Sequence, residues 1–424
     1  MTSTFVLRGD FCDTPAPDEL RFRKGHFCVV EDGIISGVFE KLPEKYALLP
    51  IMDAGKTLVL PGMTDLHLHA PQFAFRGTGM DLELMDWLST YTFPVEKHFS
   101  DPAFAEATYR LFTETLTKTW TTRAVIFGTI HTESTLLLMK MLEETGLITL
   151  VGKVNMDRES PDDYVETTKE SVEQTVLFLE KASAFTRTGA IITPRFVPTC
   201  TPELMKALGE LSEKYHVPVQ SHLSENPGEI ELVASLHPED SFYGAVYDRY
   251  GLFGSGEKTI MAHCVHSTAD EINLMSRRRL WVAHCPESNL YISSGISPVR
   301  ILLDHGIKVG LGSDISGGCS LSVARAALLA CQSSNMYWRY LDRTKKPLTI
   351  TEAFYLATAS GGSFFGKVGM FEPGYEFDAL LVDDSTIPTT LDLSIRERFS
   401  RVIALSEECR LSAKFVRGQL VRLH

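Results

Sequence analysis

The sequence lacks any long uninterrupted apolar run and any pair of closely spaced cysteines. No apolar segment is long enough to span a bilayer, and the N-terminus, MTSTFVLRGDF, lacks the basic region and apolar stretch of a signal peptide. The eight cysteines are dispersed: Cys12, Cys28, Cys200, Cys264, Cys285, Cys319, Cys331 and Cys409. Dispersed cysteines in a large leaderless chain indicate reduced thiols and a cytoplasmic protein.

Positive charge is scarce relative to negative charge. The chain has 41 Lys and Arg against 54 Asp and Glu, for a formal net charge of -13. This balance argues against a nucleic-acid backbone or an anionic membrane as the partner, while a small-molecule base is still compatible with it. No internal repeat and no low-complexity tract is present. The 424 residues, 44% of them hydrophobic, can form one large α/β domain and a smaller one.

Both ends of the chain have sequence patterns that predict β-strands. Residues 4–58 alternate short apolar runs, such as TFVLRGDF and HFCVVEDGIISGVF, with turns, and EDG is a hairpin signal. Short strands separated by Gly/Pro turns return after about residue 366, in VGMFEPGYEFDALLVDD and AKFVRGQLVRL. We therefore predict a small discontinuous β-sandwich domain from residues 1–60 and 368–424, whose strands pair across the two chain ends.

The middle of the chain, residues 61–367, alternates strand-like and helix-like segments. RAVIFGTIH precedes TESTLLLMKMLEETG, GAIITPRFVP precedes PELMKALGELSEKYH, and KTIMAHCVH, RLWVAHCPES and IKVGLGSDIS continue the rhythm. Repeated β-then-α units form a parallel sheet, and about eight of them predict a TIM-like (β/α)₈ barrel. The active site of such a barrel lies at the carboxyl ends of its strands.

Histidines and one aspartate cluster at these strand ends. His67 and His69 in LPGMTDLHLHA are one residue apart, so in a strand both imidazoles point to the same face and can hold one metal ion. Later strand ends supply His222 in QSHLSE, His263 and His266 in MAHCVHS, His284 in AHCPESN and Asp314 in GLGSDIS. Each histidine taken alone is more typical of a hydrogen-bonded core side chain, but the combination favours a metal site.

The chemistry of a catalytic metal fits this set. Three or four nitrogen or oxygen ligands leave an open position for water, and His67, His69, His222 and Asp314 form a coherent ligand set. The metal lowers the pKa of the water and yields a hydroxide nucleophile, whose proton Asp314 can accept. Glu225 follows His222 closely and is a natural general acid/base. His263 is either a further ligand or a hydrogen-bond partner of the hydroxide.

Several segments carry a resemblance to a known family. PGMTDLHLHA, SHLSE, MAHCVH, AHCPESN and GLGSDISGG together resemble the amidohydrolase superfamily. The long segment HLHAPQFAFRGTGMDLELMDWLSTYTFPVEKHF, followed by VGKVNMD and ITPRFVPTC, resembles more closely the guanine deaminase family within it. The resemblance extends from about Leu58 to Asp383, which is most of the chain.

This resemblance implies a role for each matching residue. His67, His69, His222, His263 and Asp314 match metal-site positions, and Glu225 matches the proton shuttle. Gln72 matches a purine-binding side chain, Arg195 matches the residue that contacts the polar edge of the purine, and Phe196 matches the one that packs on its ring. The implied reaction is hydrolysis of guanine to xanthine and ammonia by a homodimer. An arginine fork and an amide suit a flat, polar-edged base.

Some alternatives stay open on the sequence alone. The segment around His263 departs from the family pattern, so the division of roles between His263 and His266 is undecided, whereas His131 and His284 are expected behind the site. The metal is expected to be Zn²⁺, one ion per chain, although Fe²⁺ suits the same ligands. Another purine, a pterin or a triazine is the alternative substrate, and a non-catalytic binding protein is the alternative function.

One other class of deaminase is excluded by its motif. Cytidine-deaminase-like zinc enzymes carry H-x-E followed by P-C-x-x-C. His131, Thr132 and Glu133 match the first half of that pattern, but P-C-x-x-C is missing from the sequence. The H-x-E match is therefore coincidental.

Overall fold

The fold is described from a computed structural model for residues 4–254 and 256–423. These residues contain seventeen strands: β1 (Phe5–Ala16), β2 (Glu19–Glu31), β3 (Ile34–Phe39), β4 (Ile51–Pro61), β5 (Met63–His69), β6 (Thr121–Phe127), β7 (Ile148–Gly152), β8 (Val154–Asn155), β9 (Thr188–Ala190), β10 (Thr193–Pro194), β11 (Val219–Leu223), β12 (Thr259–His263), β13 (Trp281–His284), β14 (Lys308–Leu311), β15 (Ala379–Asp383), β16 (Arg410–Val416) and β17 (Gln419–Leu420).

The same two stretches contain fourteen α-helices: α1 (Leu84–Trp87), α2 (Phe93–Glu96), α3 (Pro102–Lys118), α4 (Thr132–Thr145), α5 (Thr168–Ala182), α6 (Pro202–Tyr215), α7 (Pro227–Leu236), α8 (Tyr243–Arg249), α9 (Ala269–Arg278), α10 (Pro286–Tyr291), α11 (Val299–Asp304), α12 (Val323–Tyr340), α13 (Ile350–Tyr355) and α14 (Ile395–Ala404). A 3₁₀ turn, Ala70–Phe75, follows β5, and a π-helical turn, Leu88–Thr92, joins α1 to α2.

Eight parallel strands form the predicted (β/α)₈ barrel. Their order is β11-β12-β13-β14-β5-β6-β7-β9. The barrel closes just after β9, where the Ile192 amide donates to the Pro218 carbonyl at 2.9 Å and the Gln220 amide donates to the Ile192 carbonyl at 2.9 Å. The fold class predicted from the alternating segments is therefore confirmed.

The barrel strands are apolar on both faces. On β6, Val125 belongs to the packed interior of the barrel, whereas Ala124 and Ile126 belong to the core between the strands and the outer helices. Alternate residues of a strand point to opposite faces, and helices cover the outside of a parallel barrel, so both sets must be apolar. This explains why the barrel strands are near-continuous apolar runs in the sequence.

The two chain ends share one small sheet, as the sequence predicted. Its seven strands have the order β17-β16-β15-β4-β1-β2-β3, with β15 from the C-terminal part antiparallel to β4. The EDG signal is the turn of the β2–β3 hairpin, where Asp32 and Gly33 both have positive φ, as a two-residue hairpin turn requires. The predicted boundaries at residues 60/61 and 367/368 stay a prediction.

The C-terminal part also contains a helix that the sequence reading had not predicted. Helix α14 begins after Ser394, whose side chain accepts from the Glu397 amide while the Glu397 carboxylate accepts from the Ser394 amide. This capping box starts the helix, and Phe399, Val402 and Ile403 are its buried face. The surrounding sequence is typical of strands, so a short amphipathic segment with helical periodicity was not recognised.

Buried ion pairs and hydrogen bonds connect the small sheet to the end of the barrel at which its strands begin. The Arg123 guanidinium on β6 donates to Asp378 at 2.7 Å and to Glu376 at 2.6 Å. Lys414 on β16 is fully buried, and its ammonium group donates to the Thr121 carbonyl at 3.0 Å. Burial lowers the pKa of Lys414 to about 7. The lysine therefore sits where a charged ammonium group is poorly tolerated.

Replacing Lys414 with methionine is expected to stabilise the protein most at pH 7 and below, where the parent buries a charged ammonium group. Between pH 7 and the normal lysine pKa of about 10.4, the unfolded chain binds a proton that the folded chain does not, so the parent gains stability as the pH rises. The excess stability of the variant should shrink by about 1.4 kcal/mol per pH unit across this window. Urea unfolding of both proteins at several pH values measures it, and a difference independent of pH would contradict the assignment.

Within the described ranges, none of the helices has both the length and the apolar character that are needed to cross a bilayer. All eight cysteines lie in these ranges and are free thiols.

Candidate active site

Four strands of the barrel and the residues just beyond them bring the predicted metal ligands together. His67 and His69 lie at the end of β5, His222 on β11 and His263 at the end of β12, and all four are nearly or fully buried. The Nε2 atoms of His69 and His222 are 3.2 Å apart. The alternation along β5 thus places two imidazoles on one face, and neighbouring strands supply the others.

Asp314, three residues after β14, lies among these imidazoles. Its Oδ1 is 3.2 Å from His67 Nε2 and 3.6 Å from His69 Nε2, and its Oδ2 is 3.7 Å from His263 Nε2. All five predicted ligands are therefore in one cluster at the carboxyl end of the barrel.

Hydrogen bonds on the outer side of two imidazoles fix which ring nitrogen is free. His222 Nδ1 donates to the Arg195 carbonyl at 2.6 Å, and His263 Nδ1 donates to Asn289 Oδ1 at 2.9 Å. Because each proton is held on Nδ1, each Nε2 presents a lone pair to the cluster. This arrangement is typical of metal-binding histidines.

The electrostatics of the cluster suit a cation. Burial lowers the pKa of His69 and His222, and lowers that of His263 to about 4, so these rings are neutral. Burial would raise the pKa of Asp314, but the His67 ring, whose Nε2 lies 3.2 Å from Oδ1, holds it well below its ordinary value. Neutral imidazoles and an ionised carboxylate are the donors that Zn²⁺ and similar ions take.

The hydrogen bonding within the cluster is incomplete in a way that an ion would complete. His67 Nε2 is buried and makes no hydrogen bond, although it lies 3.2 Å from Asp314 Oδ1. His69 Nδ1 is likewise buried without a hydrogen bond, and the Nε2 atoms of His69 and His222 are only 3.2 Å apart. The residues present therefore fit a metal ion.

The potential ligands of this cluster form two overlapping groups. One contains His67, His69 and His222, and the other contains His67, His263, Cys285 and Asp314. Cys285 was not predicted as a site residue. Burial raises the pKa of its thiol well above the ordinary value, so the sulfur keeps its proton and contacts the Ala283 carbonyl at 3.5 Å. The Cys285 thiol is directed to a backbone carbonyl, so the histidines and Asp314 are the better-placed donors.

The backbone is in unusual conformations at these strand ends. His263 and Asp314 have φ values of 71° and 46°, and Ser224, next to Glu225, has 48°. Non-glycine residues adopt this left-handed region rarely, and such strain is concentrated at functional sites. Gly312 allows the close approach behind Asp314, because a Cβ atom there would lie 2.7 Å from Cys285 Sγ and 2.9 Å from His67 Cβ.

Glu225 lies beside the cluster as a buried acid. Its Oε2 is 3.4 Å from His263 Nε2, and its Oε1 accepts from the Ser294 hydroxyl at 3.4 Å. Burial, with the nearby Asp314 and Glu229 carboxylates, raises its pKa well above the ordinary value. The side chain is therefore able to hold a proton near neutral pH, as a general acid must.

The geometry shows which of His263 and His266 belongs to the cluster, a question that the sequence left open. His263 lies against Glu225 and Asp314, whereas His266 is exposed and its Nε2 lies 2.6 Å from the Ser294 carbonyl. His284 is buried with neither ring nitrogen hydrogen-bonded, and His131 precedes α4 with its ring 5.8 Å from that of Tyr164. Neither belongs to a group of potential metal ligands in the described residues.

The predicted purine-binding residues lie on the other side of the same cavity. Gln72 is in the 3₁₀ turn after β5, and its Oε1 accepts from the Ser316 amide at 3.1 Å. The Arg195 guanidinium is buried, 5.1 Å from the centre of the Phe93 ring. The Phe196 ring is 6.4 Å from the His222 ring and nearly perpendicular to it.

The cavity is small and one wall is apolar. The empty space inside it, including the part open to solvent, is about 380 Å³, and its apolar lining is Leu84, Trp87, Leu88, Phe196 and Ile292. The polar lining is His69, Gln72, Arg195, His222, Glu225, His263 and Asp314. A concave site that combines convergent polar groups with an apolar lining suits a small, flat ligand.

Sequence reasoning missed the residues that support this lining. Glu96 accepts hydrogen bonds from Gln72 and Arg195, Asn289 holds His263, and Ser294 contacts Glu225. Glu96 belongs to the stretch YTFPVEK, whose aromatic residues read as packing. An acidic residue inside an apolar helical segment was the signal that could have identified it.

Comparison with known proteins places the chain in a family. The model of the amidohydrolase family matches residues 58–421. Guanine deaminase from Rattus norvegicus is 42% identical over 92% of this chain and 88% of its own length, and guanine deaminase from Dictyostelium discoideum is 40% identical over 88% and 84%. The crystal structure of guanine deaminase from C. acetobutylicum, with guanine bound in the active site, superimposes with a TM-score of 0.96 at 44% identity, over 99% of this chain and all of that chain. The chain therefore belongs to the amidohydrolase family, whose members depend on a metal.

Proposed function

We propose that the protein catalyses the hydrolytic deamination of guanine to xanthine and ammonia. One observation carries the proposal: a donor cluster that fits a metal ion, an acid with a raised pKa and a buried arginine–glutamine pair all line one cavity. The similarity to guanine deaminases from several organisms, including one solved with guanine bound, supports this substrate.

The proposed binding mode follows from the lining. Arg195 and the Gln72 amide contact the polar edge of the purine, since a guanidinium donates and an amide both donates and accepts. Phe196 packs against the ring, and the apolar wall excludes water from its faces. These contacts hold the carbon that bears the exocyclic amine next to the donor cluster, which lowers the entropic cost of reaching the transition state.

The proposed chemistry uses two carboxyl groups in different protonation states. His67, His69, His222, His263 and Asp314 would hold the ion, which lowers the pKa of water enough to supply a hydroxide nucleophile near neutral pH. Protonated Glu225 gives its proton to the ring nitrogen beside the attacked carbon. Ionised Asp314 accepts one proton of the water and delivers it to the amine as the C–N bond breaks. The proton that remains on the attacking oxygen returns to the Glu225 carboxylate, so ammonia leaves, xanthine is formed and both carboxyl groups regain their starting states.

The test of this function is a substrate panel with purified, metal-quantified protein. Guanine should be converted to xanthine, seen as a change in ultraviolet absorbance with equimolar ammonia. Adenine, a pterin and an amino-triazine should react much more slowly, because they cannot satisfy the buried polar groups that contact guanine. Turnover of one of these compounds without turnover of guanine would overturn the substrate assignment, and no turnover with a full metal site would favour a binding protein.

Three finer properties belong to the same proposal. The metal is Zn²⁺, one ion per chain, because neutral imidazoles and a carboxylate suit it, with Fe²⁺ as the alternative. The compartment is the cytoplasm, which the eight free thiols favour. The protein is a homodimer, as the resemblance to its family implies, and light scattering of the purified protein measures this.

A further inference from the structure

A buried glutamate connects the two residues proposed to bind the purine edge. Glu96 ends helix α2, and its side chain is fully buried. Its Oε1 accepts from Gln72 Nε2 at 3.2 Å and from Arg195 Nη2 at 3.2 Å. Its Oε2 accepts from Arg195 Nη1 at 2.6 Å and from the Tyr164 hydroxyl at 2.9 Å. One carboxylate therefore receives four hydrogen bonds behind the cavity wall.

These bonds determine how the two side chains face the cavity. The Gln72 amide is held at both ends, with Nε2 on Glu96 and Oε1 on the Ser316 amide, so it has one orientation. The Arg195 guanidinium donates to both carboxylate oxygens of Glu96, which fixes the plane of the guanidinium. Its remaining N–H groups are left for a ligand. Both side chains are set in place before the purine binds.

The carboxylate also determines the charge that the cavity presents. Arg195 is only 2% exposed and cannot lose its proton in a protein. Without a buried anion beside it, the guanidinium would be an uncompensated charge, and it would attract anionic ligands strongly in this low-dielectric setting. With Glu96, the two side chains form a neutral pair that still offers directed N–H donors.

We infer that Glu96 is a positioning and specificity-determining residue. It orients Gln72 and Arg195 and cancels the charge of the arginine, so that the cavity takes an uncharged purine and disfavours an anionic one. This inference rests on the proposed function. It has a consequence for turnover, because xanthine, with a second ring carbonyl, loses a ring proton more readily than guanine does. The neutral arginine–glutamate pair therefore adds no net attraction for an anionic product.

The variant Glu96→Gln tests this inference. It keeps the size of the side chain but removes the negative charge and one acceptor. We expect the KM for guanine to rise by about 10-fold or more, with a smaller change in kcat, because the lost contacts orient the ground state and transition state alike. We also expect inhibition by xanthine to strengthen by about 10-fold at alkaline pH, where xanthine is an anion and Arg195 is no longer compensated.

Asp378→Asn is the matched control. Asp378 is the buried partner of Arg123 at the opposite end of the barrel, so this variant also leaves a buried arginine short of one anion. Its KM and its xanthine inhibition should match the parent. Equal kinetic effects in both variants, or a parent-like KM and unchanged xanthine inhibition in Glu96→Gln, would overturn the inference.

Tyr164→Phe covers the case in which Glu96→Gln does not fold. It removes one hydrogen bond from Glu96 Oε2 and leaves the ion pair in place, and a KM raised by a few-fold without tighter xanthine inhibition is expected. A KM equal to that of the parent would count against the inference. The parent enzyme is measured in the same assay, so a parent that does not convert guanine refutes the proposed function, whereas an active parent with unaffected variants refutes only the role of Glu96.

Discussion

Replacing Glu225 with glutamine is expected to reduce the turnover of guanine by about 10²–10⁴-fold, the usual contribution of a general acid/base. Glutamine has the same shape but cannot give up and retake a proton as the purine ring is attacked. The bound metal should remain, because Glu225 belongs to neither group of potential ligands. Ultraviolet absorbance gives the rate, and elemental analysis gives the metal content of the same sample.

A second buried glutamate serves as the control for this change. Glu271 accepts from the Ser224 hydroxyl at 2.8 Å and from the Gly244 amide at 2.7 Å, and it does not line the cavity. Glu271→Gln should retain turnover within a few-fold of the parent, since only a hydrogen-bond acceptor has been changed. Parent-like turnover in Glu225→Gln would refute the proton-transfer role, and loss of the metal in that variant would place Glu225 among the ligands.

Replacing His67 with alanine is expected to remove both the metal and the activity. His67 is the one residue shared by the two overlapping groups of potential ligands, so its loss leaves neither group complete. The metal content should fall from about one ion per chain to a small fraction of that. The parent should lose thermal stability when a chelator is added, whereas the variant should not, because a ligand that binds only the folded state stabilises it.

His266, the exposed histidine that follows β12, provides the comparison. His266→Ala should keep its metal and its response to the chelator, because His266 faces the Ser294 carbonyl and not the cluster. Metal retained in His67→Ala, or lost in His266→Ala, would contradict the ligand set that the geometry indicates.

The sequence was sufficient to predict the barrel because its strands follow a simple physical rule. Parallel strands that are covered on both faces are apolar throughout. Their carboxyl ends all lie at the same end of the barrel, so the polar residues that follow them lie close together. This rule was enough to group His67, His69, His222 and Asp314 from the sequence. The proposal that Gln72 and Arg195 contact the purine came from family resemblance instead. Spacing alone contains no information about which strand-end side chain faces a ligand.

What the sequence could not provide depends on contacts between distant segments. Glu96 and Arg195 form an ion pair although they are 99 residues apart in the sequence. The local sequence YTFPVEK does not predict that Arg195 is the partner. The choice between His263 and His266 depends on the left-handed backbone at His263 and Cys264, which a strand pattern does not predict. Helix α14 was missed because one amphipathic decamer lies among strand and turn signals.

The small sheet that joins the two chain ends has a consequence for synthesis on the ribosome. Strand β4 pairs with β15 along one edge, and β15 and β16 are encoded near the end of the chain. During translation that edge has no partner until residues 379–416 have emerged, although β1–β4 are complete almost at the start. An unpaired edge invites association between nascent chains, so this protein is expected to depend on chaperones until its last strands arrive.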